Sequence, residues 1–450
     1  MGSMKELKVN LVRTDVVTAA VPMEQHRLPL SNLDLLLPPV DFGVFFCYKK
    51  PGSLEFASVV STLKVSLSQA LVDYYPLAGQ VVANSAGEPE LLCNNGGLDF
   101  VEAFGDLSLR VLDLHQPDET VQGKLMPEKK RGVAAIQATE LMCGGIVVAC
   151  IFDHRVIDAY SANMFLTAWA EMARSADTSL KPSFCRSLIQ ARNPGFTDPS
   201  LDEMYVPISS LQPPSEVEQE EGHVDNLISR IFYITAKSLD GLQRDAGSSI
   251  KSTRTKLESI SAFLWKTIAL SAKNRDQITK MGIVVDGRTR MGNNMKTYCG
   301  NVLSIPFGEM VTADVLDNPL SAVAETIHGF LEVAVTKEHF LGLIDWVEAH
   351  RPEPALAKIY CRGNDEGPAF VVSSGQRFPV FEVDFGWGKP AMGSYHFPWG
   401  GSAGYVMPMP SPIGNGDWIV YMHLFEEQMN IVEREAGHIF RPLTPVYLGL

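Results

Sequence analysis

The sequence predicts a protein of the α/β or α+β class, and three observations support this prediction. Strand-like and helix-like segments alternate in both halves of the chain, which is typical of sheets flanked by helices. With 450 residues the chain exceeds the usual size of one domain, so two domains of about two hundred residues each are expected. Its hydrophobic content of 46 % is sufficient for two cores.

The boundary between the two expected domains lies where the hydrophobic pattern disappears. Residues 191–226 contain an acidic run and several prolines (Pro194, Pro199, Pro207, Pro213 and Pro214). Such a composition predicts a long crossover linker. The N-terminal domain is therefore expected over residues 1–190 and the C-terminal domain over residues 227–450.

Elements of the second domain can be justified individually. Residues 227–235 alternate and are rich in β-branched and aromatic side chains, which predicts a strand. Thr255 and Glu258 have the spacing of a capping box that opens a helix. A further helix is expected over residues 319–335, with Asn318 as its N-cap and a proline at its first position.

The segment from Ile146 to Trp169 carries the first candidate catalytic residue. Residues 146–152 are apolar and predict a buried strand, and apolar residues recur at helical spacing after it (Ala162, Phe165, Leu166 and Trp169). His154 therefore lies at a strand-to-helix junction, where the strand fixes it and the loop exposes it to a substrate. This placement favours a general base. The alternative is a core histidine at a strand end, since His-x-x-x-Asp also arises by chance.

Composition excludes several other classes of function. The net charge of −14 disfavours nucleic acid as a partner. Seven scattered cysteines without a Cys-x-x-Cys pair predict reduced thiols, and no His-Glu-x-x-His spacing indicates a metal. No apolar run approaches the ~18 residues that span a bilayer. A cytoplasmic protein without membrane contact is expected.

A second motif lies far downstream at Asp384-Phe385-Gly386-Trp387-Gly388. Together with His154-x-x-x-Asp158, the chain closely resembles the BAHD family of plant acyl-CoA-dependent acyltransferases. Further matches follow the family's order along the whole chain (residues 30–34, 75–79, 261–265, 286–288 and 298–301). The resemblance implies two chloramphenicol-acetyltransferase-like domains, each a mixed sheet flanked by helices, with a tunnel between them and His154 at its middle.

The resemblance also implies the reaction. His154 would accept a proton from an acceptor hydroxyl or amine while that atom attacks the acyl-CoA thioester, in a ternary complex without an acyl-enzyme. Acyl-CoA is thus expected as a co-substrate, no bound cofactor is expected, and a monomer is the family's default. The contrasting class is a non-catalytic binding protein on the same fold, against which an intact His154 argues.

Structural roles at the site are implied for two aspartates. Asp158 is expected to point away from the base and to form a salt bridge, with Arg288 or another arginine as its partner. The sequence leaves open whether Asp158 or Asp384 takes Arg288. Trp387 is a candidate for orienting the thioester, and the alternative is a packed tryptophan in a constrained loop.

Substrate contacts are the remaining expectation. Thr255 and Lys256, at a helix start, suit phosphate, and an ordinary helix cap beside a solvated lysine explains them equally well. The resemblance places Asp286 and Asn301 near the CoA arm.

The acceptor is predicted from the branch of the family that the chain resembles. Residues 33–39, 44–49, 153–155 and 158–161 look most like coniferyl alcohol acyltransferases and other phenylpropanoid enzymes, so an acetyl or hydroxycinnamoyl group and an aromatic alcohol are favoured. Ser31 is a candidate acceptor contact or a plain turn serine. Arg377 matches the arginine that binds an acceptor carboxylate in shikimate hydroxycinnamoyltransferases, so shikimate or quinate stays open. Amines or polyamines are a third option because the surface is acidic.

Overall fold

The computed structural model describes residues 6–196, 198–211, 226–247, 254–361 and 366–450. Its strands are β1 (Val9–Val17), β2 (His26–Pro29), β3 (Asp41–Tyr48), β4 (Gln80–Ala83), β5 (Pro89–Cys93), β6 (Leu98–Gly105), β7 (Ala134–Leu141), β8 (Ile146–Asp153), β9 (Tyr205–Pro207), β10 (Leu227–Ile234), β11 (Ile278–Ile283), β12 (Val285–Asp286), β13 (Leu303–Ser304), β14 (Phe307–Val311), β15 (Ala355–Ala357), β16 (Ala369–Val372), β17 (Met392–His396), β18 (Gly404–Pro410), β19 (Trp418–Phe425) and β20 (Arg441–Pro442).

The α-helices are α1 (Phe56–Asp73), α2 (Pro117–Thr120), α3 (Ala159–Ala173), α4 (Leu201–Met204), α5 (Ala236–Ala246), α6 (Lys256–Ile268), α7 (Arg288–Met291), α8 (Thr312–Asp317), α9 (Leu320–Ala334), α10 (Lys337–His350) and α11 (Glu426–Glu435). Short 3-10 turns lie at Asp34–Leu36, Tyr75–Ala78, Leu109–Val111, Arg186–Ile189, Ile208–Ser210, Ala269–Ser271, Asn293–Met295 and Lys358–Tyr360.

Two mixed sheets form the frame of the molecule. The N-sheet has the strand order β1-β6-β7-β8-β3-β17, in which β6 and β7 are parallel and the other neighbours are antiparallel. The C-sheet has the order β14-β11-β16-β18-β19-β10-β20, in which β16 is parallel to both β11 and β18. The predicted α/β architecture of two mixed sheets flanked by helices is confirmed.

Each sheet packs against a helix that carries a fully buried tryptophan. Trp169 of α3 donates its indole N–H to the carbonyl oxygen of Leu63 on α1, at 3.1 Å. Trp265 of α6 donates to the hydroxyl of Thr279 on β11, at 2.8 Å. Both large side chains therefore bury apolar area without leaving a polar atom unpaired, which stabilises the two cores.

The two halves of the chain are interleaved. Strand β17 comes from the second half, yet it pairs with β3 at the edge of the N-sheet. In the segment predicted as a linker, α4 precedes β9, and β9 pairs with β15 of the second half. Of that predicted linker, Thr197 and residues 212–225 lie outside the described residues. The domain boundaries at 190 and 227 stay a prediction.

One helix start differs from its prediction. Helix α9 begins at Leu320, and Pro319, not Asn318, occupies the N-cap position. The reason is local, because Asn318 ends the preceding helix α8, where its backbone N–H donates to the carbonyl oxygen of Asp314. The residue before a proline is also disfavoured in helical conformation. The capping box at Thr255 and the strand at residues 227–234 are confirmed.

Within the described ranges, none of the helices combines the length and the apolar character that a membrane crossing requires.

Candidate active site

A cavity of about 980 Å³ lies between the two sheets and is lined by residues from both halves of the chain. His154, Tyr160 and Asn163 contribute from the N-terminal half, whereas Arg290 and Trp399 contribute from the C-terminal half. A drug-sized molecule fits in a cavity of this volume. The described geometry agrees with the tunnel that the resemblance implies.

His154 follows the last residue of β8 and lies on the wall of this cavity. Its backbone is held on both sides: its N–H donates to the carbonyl oxygen of Val40 at 2.9 Å, and its own carbonyl oxygen accepts from Nδ2 of Asn301 at 2.8 Å. Its ring lies edge-on to Phe42 and Phe397, with centroid distances of 4.9 and 5.9 Å. The imidazole is therefore fixed in position and reachable from the cavity.

The electrostatic surroundings of His154 favour the neutral imidazole. Burial lowers its pKa below the ordinary value, and its own carbonyl group, Asp158 and Asn301 offset this only in part. The Nδ1 atom is buried, and neither it nor Oδ1 of Asn301 makes a hydrogen bond within ordinary limits of distance and angle. This leaves Nε2 as the candidate reacting nitrogen, with its lone pair available when the proton is on Nδ1.

Asp158 forms a buried pair with Arg288. Nη1 of Arg288 lies 2.8 Å from Oδ2 of Asp158 and Nη2 lies 3.1 Å from Oδ1. Asp158 is also the N-cap of α3, since Oδ1 accepts from the backbone N–H of Ser161 at 2.9 Å. Although burial opposes the charged form, Asp158 and then Asp286 raise the pKa of Arg288. Between the two alternatives left open by the sequence, Arg288 takes Asp158.

Asn301 and Ser31 are not among the residues that line the cavity. Nδ2 of Asn301 donates to Asp34 at 2.9 Å as well as to His154, and the hydroxyl of Ser31 donates to Asp34 at 2.8 Å. The predicted contact of Asn301 with CoA and that of Ser31 with the acceptor stay predictions. Both side chains bind Asp34, whose burial requires such donors.

Four other predicted residues keep their place at the cavity. Thr255 and Lys256 line it at the start of α6, where Lys256 also forms a 2.8 Å ion pair with Asp240. Asp286 lines it too, and burial raises the pKa of its carboxyl group more than Arg288 lowers it. Arg377 lies on the wall with an exposed side chain.

The loop at residues 384–388 lies outside the cavity. Oδ1 of Asp384 accepts from the backbone N–H groups of Gly386 and Gly388, at 2.8 and 2.9 Å, and both glycines have φ above +100°. Trp387 packs edge-on against Tyr48, with ring centroids 6.2 Å apart. The contacts of Trp387 thus support the alternative role, that of a tryptophan packed in a constrained loop. The carboxylate of Asp384 stabilises the turn by accepting from both glycine N–H groups.

Comparisons with known proteins agree with this architecture. A family model described as "Transferase family" matches residues 7–439. The chain belongs to this family, that of the BAHD acyltransferases. It is 28 % identical over 446 residues to shikimate O-hydroxycinnamoyltransferase of Nicotiana tabacum, covering 95 % of this chain and 99 % of the relative. It is 27 % identical to putrescine hydroxycinnamoyltransferase 1 of Oryza sativa subsp. japonica, covering 86 % and 89 %.

A solved structure shows the same fold. TRI101 of F. sporotrichioides, complexed with coenzyme A and T-2, superposes with a TM-score of 0.75 at 16 % identity, covering 92 % of this chain and 99 % of that one. At this identity the likeness concerns the fold alone. The family assignment shows that the chain is an acyltransferase, as the sequence predicted.

Several cavity residues of this BAHD protein were missed by the sequence analysis. They are aromatic side chains from different parts of the chain: Tyr160, Tyr360, Phe378, Phe397, Trp399 and Tyr405. Tyr160 carried a signal, since it follows Asp158 by two residues. Its ring packs on the guanidinium of Arg288 at 4.4 Å, and its hydroxyl donates to the backbone carbonyl oxygen of Lys296. The others had no local signal, because only the sheet topology brings them to His154.

Proposed function

We propose that this protein transfers an acyl group, acetyl or hydroxycinnamoyl, from CoA to the hydroxyl group of a phenylpropanoid alcohol such as coniferyl alcohol, with His154 as the general base. The observation that carries the proposal is a fixed histidine with a lowered pKa on the wall of a cavity that both halves line. A neutral imidazole can accept a proton at neutral pH, which a general base requires.

The proposed reaction takes place in one ternary complex. The acceptor hydroxyl gives its proton to Nε2 of His154 while its oxygen forms a bond with the thioester carbonyl carbon. The tetrahedral intermediate then collapses, the carbon–sulfur bond breaks, and the imidazolium returns the proton to the CoA thiolate. The histidine is thus regenerated, and no covalent acyl-enzyme forms.

Two features support Nε2 as the reacting nitrogen. The first is the burial of Nδ1 beside the amide of Asn301, which leaves Nε2 for the substrate. The second is the aromatic clamp of Phe42 and Phe397, which prevents the ring from turning away. Asp158 has its two oxygens bound to Arg288, so in this proposal it shapes the site and takes no proton.

The donor is proposed to enter past the start of α6. Thr255 and Lys256 line the cavity there, and Arg290 adds a second cation on the wall. A helix start with adjacent cations suits the phosphates of CoA. Acyl-CoA is then a co-substrate, and no resident cofactor is part of the proposal. The coenzyme A complex of TRI101, on the same fold, supports this choice of donor.

The acceptor is proposed to be an aromatic alcohol because rings surround His154. Phe378, Phe397 and Trp399 lie on the cavity wall, and flat apolar surfaces of this kind bind a phenyl ring. An acidic acceptor is one alternative, because Arg377 lies on the same wall and the chain is similar to the shikimate enzyme. An amine acceptor is the other alternative, supported by the net charge of −14 and by the putrescine enzyme among the relatives.

The test is CoA release from acetyl-CoA, benzoyl-CoA and p-coumaroyl-CoA against coniferyl alcohol, shikimate, quinate, tyramine and spermidine. We expect turnover with coniferyl alcohol, and its loss in His154→Ala but not in His438→Ala, an exposed histidine away from the cavity. Turnover confined to shikimate or quinate, abolished by Arg377→Met, would establish the acidic acceptor instead. Binding of acyl-CoA without turnover for any pair would establish the non-catalytic alternative.

The same proposal includes a monomer in the cytoplasm, as the family suggests. The seven cysteines are free thiols in the structure, which agrees with a reducing compartment. Sedimentation velocity of the purified protein tests the monomer, and imaging of a fluorescent fusion tests the compartment.

A further inference from the structure

The segment Phe397–Trp399 carries two aromatic rings on the cavity wall and crosses from the N-sheet towards the C-sheet. It follows β17 directly and precedes β18. The rings of Phe397 and Trp399 are parallel within 9°, with centroids 6.1 Å apart, and the ring of Phe397 meets that of His154 edge-on. We call this segment the aromatic wall. An acceptor whose hydroxyl reaches His154 must lie next to it.

The backbone of the aromatic wall is held by two side chains of β19. The N–H of Phe397 donates to the hydroxyl oxygen of Tyr421 at 3.1 Å. The carbonyl oxygen of Trp399 accepts from Nε2 of His423 at 3.1 Å. Ser229, on the neighbouring strand β10, joins these two side chains, since its Oγ lies 3.1 Å from the Tyr421 hydroxyl and 2.9 Å from Nδ1 of His423. None of the three holding residues lines the cavity.

With a neutral His423 ring, only one assignment of donors and acceptors satisfies all of these hydrogen bonds. Because Nε2 of His423 must donate to a carbonyl oxygen, Nδ1 of the neutral ring is an acceptor, and the hydroxyl of Ser229 donates a hydrogen bond to it. Tyr421 then donates to Ser229 and accepts from Phe397, so each hydroxyl group donates once and accepts once. Burial lowers the pKa of His423, which favours this neutral state. All three side chains are buried, where a satisfied polar network makes a segment rigid.

We propose that Tyr421, Ser229 and His423 are positioning residues that set the affinity and selectivity for the acceptor by fixing the aromatic wall. The inference rests on the proposed function for its kinetic consequence, while the fixing itself is independent of any reaction. A wall held at both ends of a three-residue segment keeps its two rings in one orientation. Loss of either support lets the rings move by fractions of an ångström, which is enough to weaken acceptor binding.

The kinetic test compares Tyr421→Phe and His423→Leu with wild type. We expect the acceptor KM to rise about tenfold, because each variant removes the hydrogen bond that holds one end of the aromatic wall and leaves a buried partner unpaired, whereas the acyl-CoA KM stays within about twofold. His423→Gln, whose amide can still donate towards Trp399, is expected to restore most of the affinity. Tyr447→Phe is the matched control, since its hydroxyl binds Ser411 and Asp417 outside the cavity.

A second measurement needs no substrate. Hydrogen exchange followed by mass spectrometry reports on the amide of Phe397, whose bond to Tyr421 is lost in Tyr421→Phe. We expect faster exchange of peptides that contain residues 397–399 in Tyr421→Phe than in wild type or in Tyr447→Phe. Unchanged exchange overturns the inference whether or not acyl transfer occurs. Equal rises in both KM values also overturn it, since they indicate a general loss of structure.

Discussion

The guanidinium group of Arg288 binds both carboxylate oxygens of Asp158, at 2.8 and 3.1 Å, and both side chains are almost completely buried. Asp158 starts α3, just after His154, whereas Arg288 belongs to α7 in the second half. Nη2 of Arg288 also donates to the carbonyl oxygen of Gly300, next to Asn301. The pair therefore joins the segment that follows the candidate base to the second half of the chain.

Replacement of Asp158 by alanine is expected to act mainly on stability. It leaves the Arg288 charge buried without its main partner, which lowers the free energy of unfolding by roughly 3–5 kcal/mol. Urea unfolding measures this change, and Asp15→Ala, at a more exposed ion pair with Lys64, should lower the free energy of unfolding far less. Full stability combined with a large loss of kcat in Asp158→Ala would instead indicate a catalytic dyad with His154.

The pH dependence of turnover follows from the lowered pKa of His154. In the proposed mechanism the neutral imidazole is the active form, so protonation removes activity as the pH falls, and the acid limb of kcat/KM should lie below the ordinary histidine value of 6.5. The same shift makes folding stability decrease as the pH falls below 6.5, since the unfolded chain then binds the proton more readily. A pH profile measured at saturating acyl-CoA checks the first effect. An acid limb above 6.5 would contradict it.

Asn301 is expected to matter for turnover although it lies outside the cavity. Asn301→Ala removes the hydrogen bonds to Asp34 and to the carbonyl oxygen of His154, so the base loses its fixed position. We expect kcat to fall by about 100-fold, the size of effect that a misplaced catalytic group produces. Asn32→Ala removes a buried amide bonded to Ile344, away from His154, and serves as control. Similar losses of kcat in both variants would show that Asn301 is only a structural residue.

Lys256 provides a test of the donor entrance. Lys256→Ala should raise the acyl-CoA KM by about fivefold, which corresponds to about 1 kcal/mol for a partly exposed charge contact, with the acceptor KM unchanged. Asp240→Asn removes the carboxylate that pairs with Lys256 and should lower the acyl-CoA KM. Lys237→Ala on the neighbouring helix α5 controls for net charge. Initial rates at low and high salt measure these effects, and a Lys256→Ala variant with unaltered KM would refute the assignment.

Trp387 is expected to affect stability and not the chemical step. Trp387→Phe keeps an aromatic ring beside Tyr48 but leaves unfilled volume, so the unfolding free energy should fall by about 1–2 kcal/mol. The kcat measured at a temperature where the variant is folded should remain within about twofold of wild type. A large loss of kcat with unchanged stability would restore the predicted role of Trp387 in orienting the thioester.

Local patterns predicted much of the secondary structure and the position of His154. The apolar run before it forms β8, in the interior of the N-sheet, where both faces of a strand are covered and alternation is lost. The capping box at Thr255 forms because both of its partners lie within one turn. The start of α9 was displaced by one residue because Asn318 serves the preceding helix, a competition that the N-cap rule does not include.

The sequence by itself determined the α/β class, the acyltransferase family and the candidate base, because periodicity and the two motifs are contained in short contiguous segments. Tertiary structure alone decided that Arg288 pairs with Asp158, that Asn301 donates to the carbonyl oxygen of His154, and that Trp387 packs outside the cavity. It also brought the aromatic wall to His154 by placing β17 beside β3. These relationships join residues far apart in the chain, and their geometry depends on how the two sheets pack, which no local pattern encodes.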